Sequence, residues 1–449
     1  MNYLNNKINK NSKKKLIFSK ILILRIILCV ISLFLFFYNY ANSFNMSNED
    51  IIITTIMILI LSILDVFIFL RNWLMFIIFS CIAYFNYSIL MANYISKINN
   101  TIFTSFSEEI VAKIGINILL LFMVVVNIIL PQRVNNNKFK ENYLINKENQ
   151  NTYLVMGISL VLIIILILGF SRPDLAGERG TPSQIYEYSL IFFIIGFNFS
   201  GRKRLNIVIL SVILFLFTLQ NFLYGGRVIG IQLIICWFVM IYSYKTSIGK
   251  IVPVIIAIFI LMTSIGIFRA NFSLTTSSIE NAIQKIINEK LTLDTAYAAY
   301  YTSLTFIKVE EFNTFVTRIE MFKNFILSMF IGGGRVANSS LAEYTHQFYF
   351  HYYGGILPFF FHYYIGWFGV LISGVITGVY CRIINKIGNN TRELIKCIGV
   401  FLVCHVFRWY LYSPSGLIRG VGLTIIAYYT AYFFDVIIKR KRIVKKKQY

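Results

Sequence analysis

Segments of about 20 consecutive apolar residues, separated by short polar links, recur along the whole of this 449-residue chain, and hydrocarbon is the environment that suits them. Lipid offers the backbone no hydrogen-bond partners, so each segment reads as a helix. Spans are expected near 16 to 41, 51 to 70, 73 to 96, 110 to 130, 153 to 171, 186 to 200, 205 to 223, 227 to 244, 251 to 270, 357 to 380, 397 to 412 and 414 to 436. Composition supports the same class: only 14% of residues are charged, against about 25% in a soluble domain. The first segment, Leu16 to Tyr40, is too long for a cleaved signal sequence and reads as a retained helix. The expected fold is therefore all-α, a polytopic membrane bundle of about 12 spans.

Charge orients the bundle. The net charge of +23 lies mainly in the links rather than on one face, which argues against nucleic acid as a partner. Links assigned to the inside carry 27 Lys and Arg, whereas the short outside links carry only Lys97, Arg172, Arg179 and Arg227. The positive-inside rule then places both termini in the cytoplasm. Three regions follow: spans 1 to 9 (residues 1–270), an extracytoplasmic loop (271–356), and spans 10 to 12 with a basic tail (357–449). The loop reads as ordered. Ser277 to Glu280 has capping-box spacing, and Phe312, Phe315, Val316, Ile319, Phe322 and Ile326 form an apolar stripe suited to a membrane surface. The six cysteines lie in or beside apolar segments without a CxxC pair, so neither a disulfide framework nor a zinc site is expected.

Candidate chemistry sits on the outer side. Lys20, Arg25 and Lys439 are ordinary cytoplasmic flanks, but Arg227, Arg269, Arg408 and Arg419 fall at the opposite ends of four apolar segments. A single such arginine is explained by snorkelling. Four, joined by Arg172, Arg179, Arg318 and Arg335, point to a shared anionic ligand, because the guanidinium fork binds phosphate through paired donors. Gly225-Gly226-Arg227 opens a span, where a helix N-terminus can approach an anion, and Gly332-Gly333-Gly334-Arg335 can form a similar nest; neither is a P-loop. Glu343 and His346 share a face if their segment is helical, which suits general acid/base work better than metal binding. Tyr349, Tyr352 and Tyr353 belong either to an interfacial aromatic belt or to a sugar-binding surface. There is no Asp-x-Asp pair, and no metal or cofactor is expected.

The many-span architecture, the large late outer loop, Gly-Gly-Arg at 225 to 227, the Gly- and aromatic-rich stretch 332 to 355, and Arg408 and Arg419 together resemble the bacterial O-antigen and capsule repeat-unit polymerases, the Wzy-like family. The resemblance covers most of the chain. It implies a GT-C-like fold in the bacterial cytoplasmic membrane and a metal-independent glycosyltransferase acting on polyprenyl-diphosphate-linked oligosaccharides, with a chain-length regulator as a protein partner. Under it, Arg227, Arg269, Arg335, Arg408 and Arg419 bind diphosphate, His346 or Glu343 accepts the hydroxyl proton, and Tyr349, Tyr352 and Tyr353 meet sugar. An O-antigen ligase or other lipid-linked-sugar transferase shares that chemistry. A flippase or transporter would place its charges nearer mid-membrane, and a non-catalytic scaffold would not need the arginines.

Overall fold

The computed structural model describes residues 2–42, 46–95, 109–131, 134, 144–171, 180–224, 226–243, 284, 287–288, 290–331, 336–351 and 354–447; the side chains of 2–20, 109 and 441–447 are not described. The expected span near 251 to 270 and the capping box at 277 to 280 lie outside these residues. Among the described residues, seven helices are long and apolar enough to cross a membrane, and three shorter apolar helices accompany them. The protein is a mostly helical, multi-pass membrane protein. Its chain divides into two compact units: residues 1–136 with 294–385, and residues 137–293 with 386–449.

Unit 1 contains α1 (Asn2–Ala41), α2 (Asn48–Ile68), α3 (Trp73–Leu90) and α4 (Glu109–Ile129), joined later in the chain by α10 (Asp294–Glu310), α11 (Phe315–Ile331), α12 (Leu341–His346), α13 (Leu357–Ile365) and α14 (Trp367–Asn385). Ser47 and Asp50 start α2 with a reciprocal capping box, Asp50 N donating to Ser47 Oγ at 3.2 Å and Ser47 N to Asp50 Oδ2 at 2.9 Å. Small residues set the closest approach. A Cβ on Gly374 would lie 2.7 Å from Val125, and one on Gly378 2.6 Å from Ile129, so this Gly-x-x-x-Gly face seats α14 directly on α4.

Several polar side chains buried between the helices pair with one another. Asn39 Nδ2 donates to Thr54 Oγ1 at 2.8 Å and to Asn117 Oδ1 at 3.0 Å, and Asn127 Nδ2 donates to Asp65 Oδ2 at 3.0 Å. Arg25, expected as a cytoplasmic flank, is instead buried: its Nη2 donates to the Leu130 carbonyl at 3.0 Å while Arg382 caps Ile129. Two cations thus satisfy the carbonyl end of α4, where the helix dipole favours them.

One expected span changes in unit 1, and two helices of the expected loop show how they pack. The segment expected as one span near 357 to 380 is two helices, because Gly366 takes φ 66 and turns the chain so that Gly369 lies against the Phe361 carbonyl. α10, part of the expected outer loop, buries Ala296, Ala299, Tyr300 and Phe306 against α3, α4 and α13. The amphipathic helix expected here forms over Phe315–Ile331: Met321, Phe325, Ser328 and Met329 are buried, and Phe315, Val316 and Ile319 of the expected stripe are exposed, open to a membrane surface. Phe322 of the expected stripe and Phe325 of the packed face both meet Tyr364, with ring centroids 5.1 and 5.6 Å away.

Unit 2 holds α5 (Thr152–Leu168), a two-residue antiparallel ladder pairing Phe170–Ser171 with Thr181–Pro182, α6 (Gln184–Glu187), α7 (Ser189–Asn198), α8 (Arg204–Tyr224), α9 (Arg227–Trp237), α15 (Glu393–Cys404), α16 (Val406–Leu411) and α17 (Ser415–Lys447). The stretch expected as one span near 397 to 412 breaks at His405 into α15 and α16. His405 is buried, its ring 4.8 Å from Phe401 and its Nδ1 3.3 Å from Gln232 Nε2, and Pro414 prevents α16 from running on into α17. At the far end of α17, Asn151 Nδ2 donates to Asp435 Oδ1 at 2.7 Å and also caps α5 through Leu154 N.

Candidate functional site

In unit 2 the short elements around α6 bring two of the expected arginines onto one patch. Ser183 Oγ accepts from Tyr186 N at 3.3 Å and starts α6, while the buried Tyr186 ring packs against Phe170 and Phe217. This presents Gln184, Glu187 and Tyr188 to α16 and α17. Arg408 Nη2 donates to Glu187 Oε1 at 2.8 Å, and its guanidinium lies 5.2 Å from the Tyr412 ring. Arg419 Nη2 reaches Gln184 Oε1 at 3.4 Å, and its guanidinium lies 5.7 Å from the Tyr188 ring. Both cations are within electrostatic reach of Tyr188. One carboxylate against two guanidiniums leaves the patch positive. An amide oxygen at 3.4 Å is a weak acceptor for Arg419, so its paired donors can be given to an anion.

An apolar groove of about 830 Å³ starts at this patch. Gln184, Tyr188 and Arg419 line one end, Tyr153 and Ile438 the other, and its walls are the apolar faces of α5, α7 and α17. Small residues make the room: Gly157 lines it, and a Cβ there would meet nothing within 4 Å.

Arg227 is the first residue of α9 in the same unit, with Gly226 as its N-cap, as the Gly-Gly-Arg spacing predicts. Gly225, Arg269, Gly332 to Arg335, Tyr352 and Tyr353 lie outside the described residues.

Glu343 and His346 belong to unit 1. They fall on α12, which Ser340 caps by accepting from Glu343 N at 3.3 Å, so both occupy one helical face with the Glu343 side chain exposed. The His346 ring lies 5.1 Å from His351, whose Nε2 is 3.0 Å from Thr345 Oγ1. Burial, with a smaller contribution from the neighbouring His346, pushes the His351 pKa down to about 4. Near neutral pH His351 is therefore an uncharged, positioned ring beside His346. Tyr349 is half-buried on the turn between them.

Two groups escaped the sequence reading. Glu187, Gln184 and Tyr188 supply the acceptors and rings for Arg408 and Arg419; an acid placed where the charge count puts arginines was the available signal. In unit 1, Glu310 takes Arg318 on one oxygen and His362 Nδ1 on the other at 3.2 Å, and Arg318 Nη1 also donates to the Tyr363 carbonyl at 3.0 Å. That cluster ties α10, α11 and α13 together, and no local spacing announces it.

No family model, no curated protein and no solved structure matches this chain.

Proposed function

We propose that this protein is a polysaccharide polymerase that joins polyprenyl-diphosphate-linked oligosaccharide repeat units at the outer face of a bacterial cytoplasmic membrane. The observation that carries the reading is the positive patch of Arg408 and Arg419 at the head of an apolar groove, the two environments a lipid diphosphate requires. In the reaction, a sugar hydroxyl of one unit attacks the anomeric carbon of the growing glycan, the bond from that carbon to the diphosphate oxygen breaks, and the lipid diphosphate leaves. Charge develops on the departing diphosphate, and preorganised guanidiniums stabilise it without reorganisation cost. Arg408 and Arg419, with Arg227, take that role. The attacking hydroxyl gives its proton to a general base; unit 1 holds a candidate of that type, His346 with Glu343 on the same face of α12.

Deletion of the gene in its host tests this. Cells lacking the protein should carry surface glycan capped at a single repeat unit and should accumulate lipid-linked single units. Normal polymer length after deletion overturns the proposal, and long lipid-linked polymer that is never attached would identify a ligase instead.

A further inference from the structure

The groove of unit 2 is deeper than an outer-leaflet lipid needs. Along α17 it runs from Arg419 to Ile438, and at 1.5 Å per residue these 19 steps cover about 28 Å. The hydrocarbon core of a bilayer is about 30 Å thick, so one leaflet accounts for only about half of that length. A phospholipid with its phosphate at Arg419 would end its acyl chains near the middle of the groove. A single polyisoprenoid chain anchored at the same phosphate can continue to Tyr153 and Ile438. Charge is complementary at the mouth alone: Arg419 and Gln184 meet the groove at one end, and the wall between is Gly157, Ile191, Ala427 and other apolar residues. Inside a bilayer the tail exchanges lipid contacts for groove contacts rather than leaving water, so selection along the groove rests on van der Waals packing against its walls.

We infer that the groove between α5, α7 and α17 is the binding site for the isoprenoid tail of a long-chain polyprenyl phosphate or diphosphate, held across the whole membrane depth with its phosphate on Arg419. This rests on the polymerase reading for its lipid class, but it fixes which surface holds the tail and makes chain length a determinant of recognition.

Sugar-free probes separate the two. The full-length protein, in nanodiscs of phosphatidylethanolamine and phosphatidylglycerol, is titrated with a membrane-spanning polyprenyl monophosphate and with farnesyl monophosphate, and retention is read by native mass spectrometry. The long chain should bind about 10-fold or more tightly than farnesyl, because its extra length adds packing contacts along the groove. Gly157→Trp should remove that advantage and leave farnesyl binding unchanged, whereas Arg419→Ala should weaken both. Because a Cβ at Gly157 meets open space, the variant should fold, and Ala427→Phe from the opposite wall gives an independent block. Equal retention of long and short chains, displacement of the long chain by phosphatidylglycerol at matched concentration, or unchanged long-chain affinity in both filled variants overturns the inference. Long-chain binding that survives while deletion leaves polymer intact would sink the polymerase reading and keep the groove; the reverse pattern would do the opposite.

Discussion

Replacing Arg408 with Ala separates what this side chain does for the fold from what it does for transfer. Its ion pair with Glu187 has side chains 26% and 37% exposed, a setting in which such pairs contribute about 1 kcal/mol or less. The guanidinium over Tyr412, 5.2 Å from the ring, adds about 0.5–1 kcal/mol at a site this open. Their loss together should leave the protein folded, with a melting temperature only a few degrees lower. Transfer should respond on another scale. Removing one preorganised donor from a developing anion costs about 10²–10³-fold in rate. Lys at the same position keeps the charge but loses the planar fork, so it should recover only part of the rate. Glu187→Gln supplies the internal control, because it removes the pairing acid and leaves Arg408 in place; its rate should stay near wild type or rise. The assay is initial release of polyprenyl diphosphate from lipid-linked repeat units in proteoliposomes, normalised to folded protein by size-exclusion fluorescence. A rate for Arg408→Ala within about threefold of wild type, a barrier change below 1 kcal/mol, would refute the diphosphate role and leave Arg408 as a partner of Glu187 alone.

The interface between α4 and α14 should not tolerate bulk: Gly378→Leu drives a side chain into Ile129 and should cost about 1–3 kcal/mol, read as a lower melting temperature and folded yield, whereas unchanged stability would mean the two helices can part freely. His351 should make stability depend on pH. Its folded pKa of about 4 lies below the ordinary value of 6.5, so the unfolded chain binds the proton first and stability falls as pH drops from about 6.5 to about 4. The ceiling on that loss is about 3 kcal/mol, and screening by water around the exposed Gln347 and Phe350 lowers it. His351→Gln should flatten the melting temperature over that window, and an unaltered slope would assign the dependence to other groups.

Membrane class and most helix positions were legible in the sequence because both are local properties. Twenty apolar residues match the thickness of a bilayer wherever they fold, so the expected spans near 51 to 70, 73 to 96 and 205 to 223 appear as Asn48–Ile68, Trp73–Ile95 and Arg204–Tyr224. The Gly-Gly-Arg signature gave the start of α9 at Arg227, and the spacing of Glu343 and His346 gave a shared helical face. Partnerships were not legible. Arg408 meets an acid 221 residues earlier in the chain, Glu310 gathers Arg318 and His362 from two other helices, and Arg25 is buried on the carbonyl end of α4 rather than facing headgroups. Breaks at Gly366 and His405 sit inside segments whose hydropathy is continuous. The physical reason is common to all of these. A helix that is apolar on every side is equally content against lipid or against protein, so sequence alone determines that it enters the membrane. Only tertiary packing decides which face it buries, which polar groups meet, and where a groove is left for a ligand.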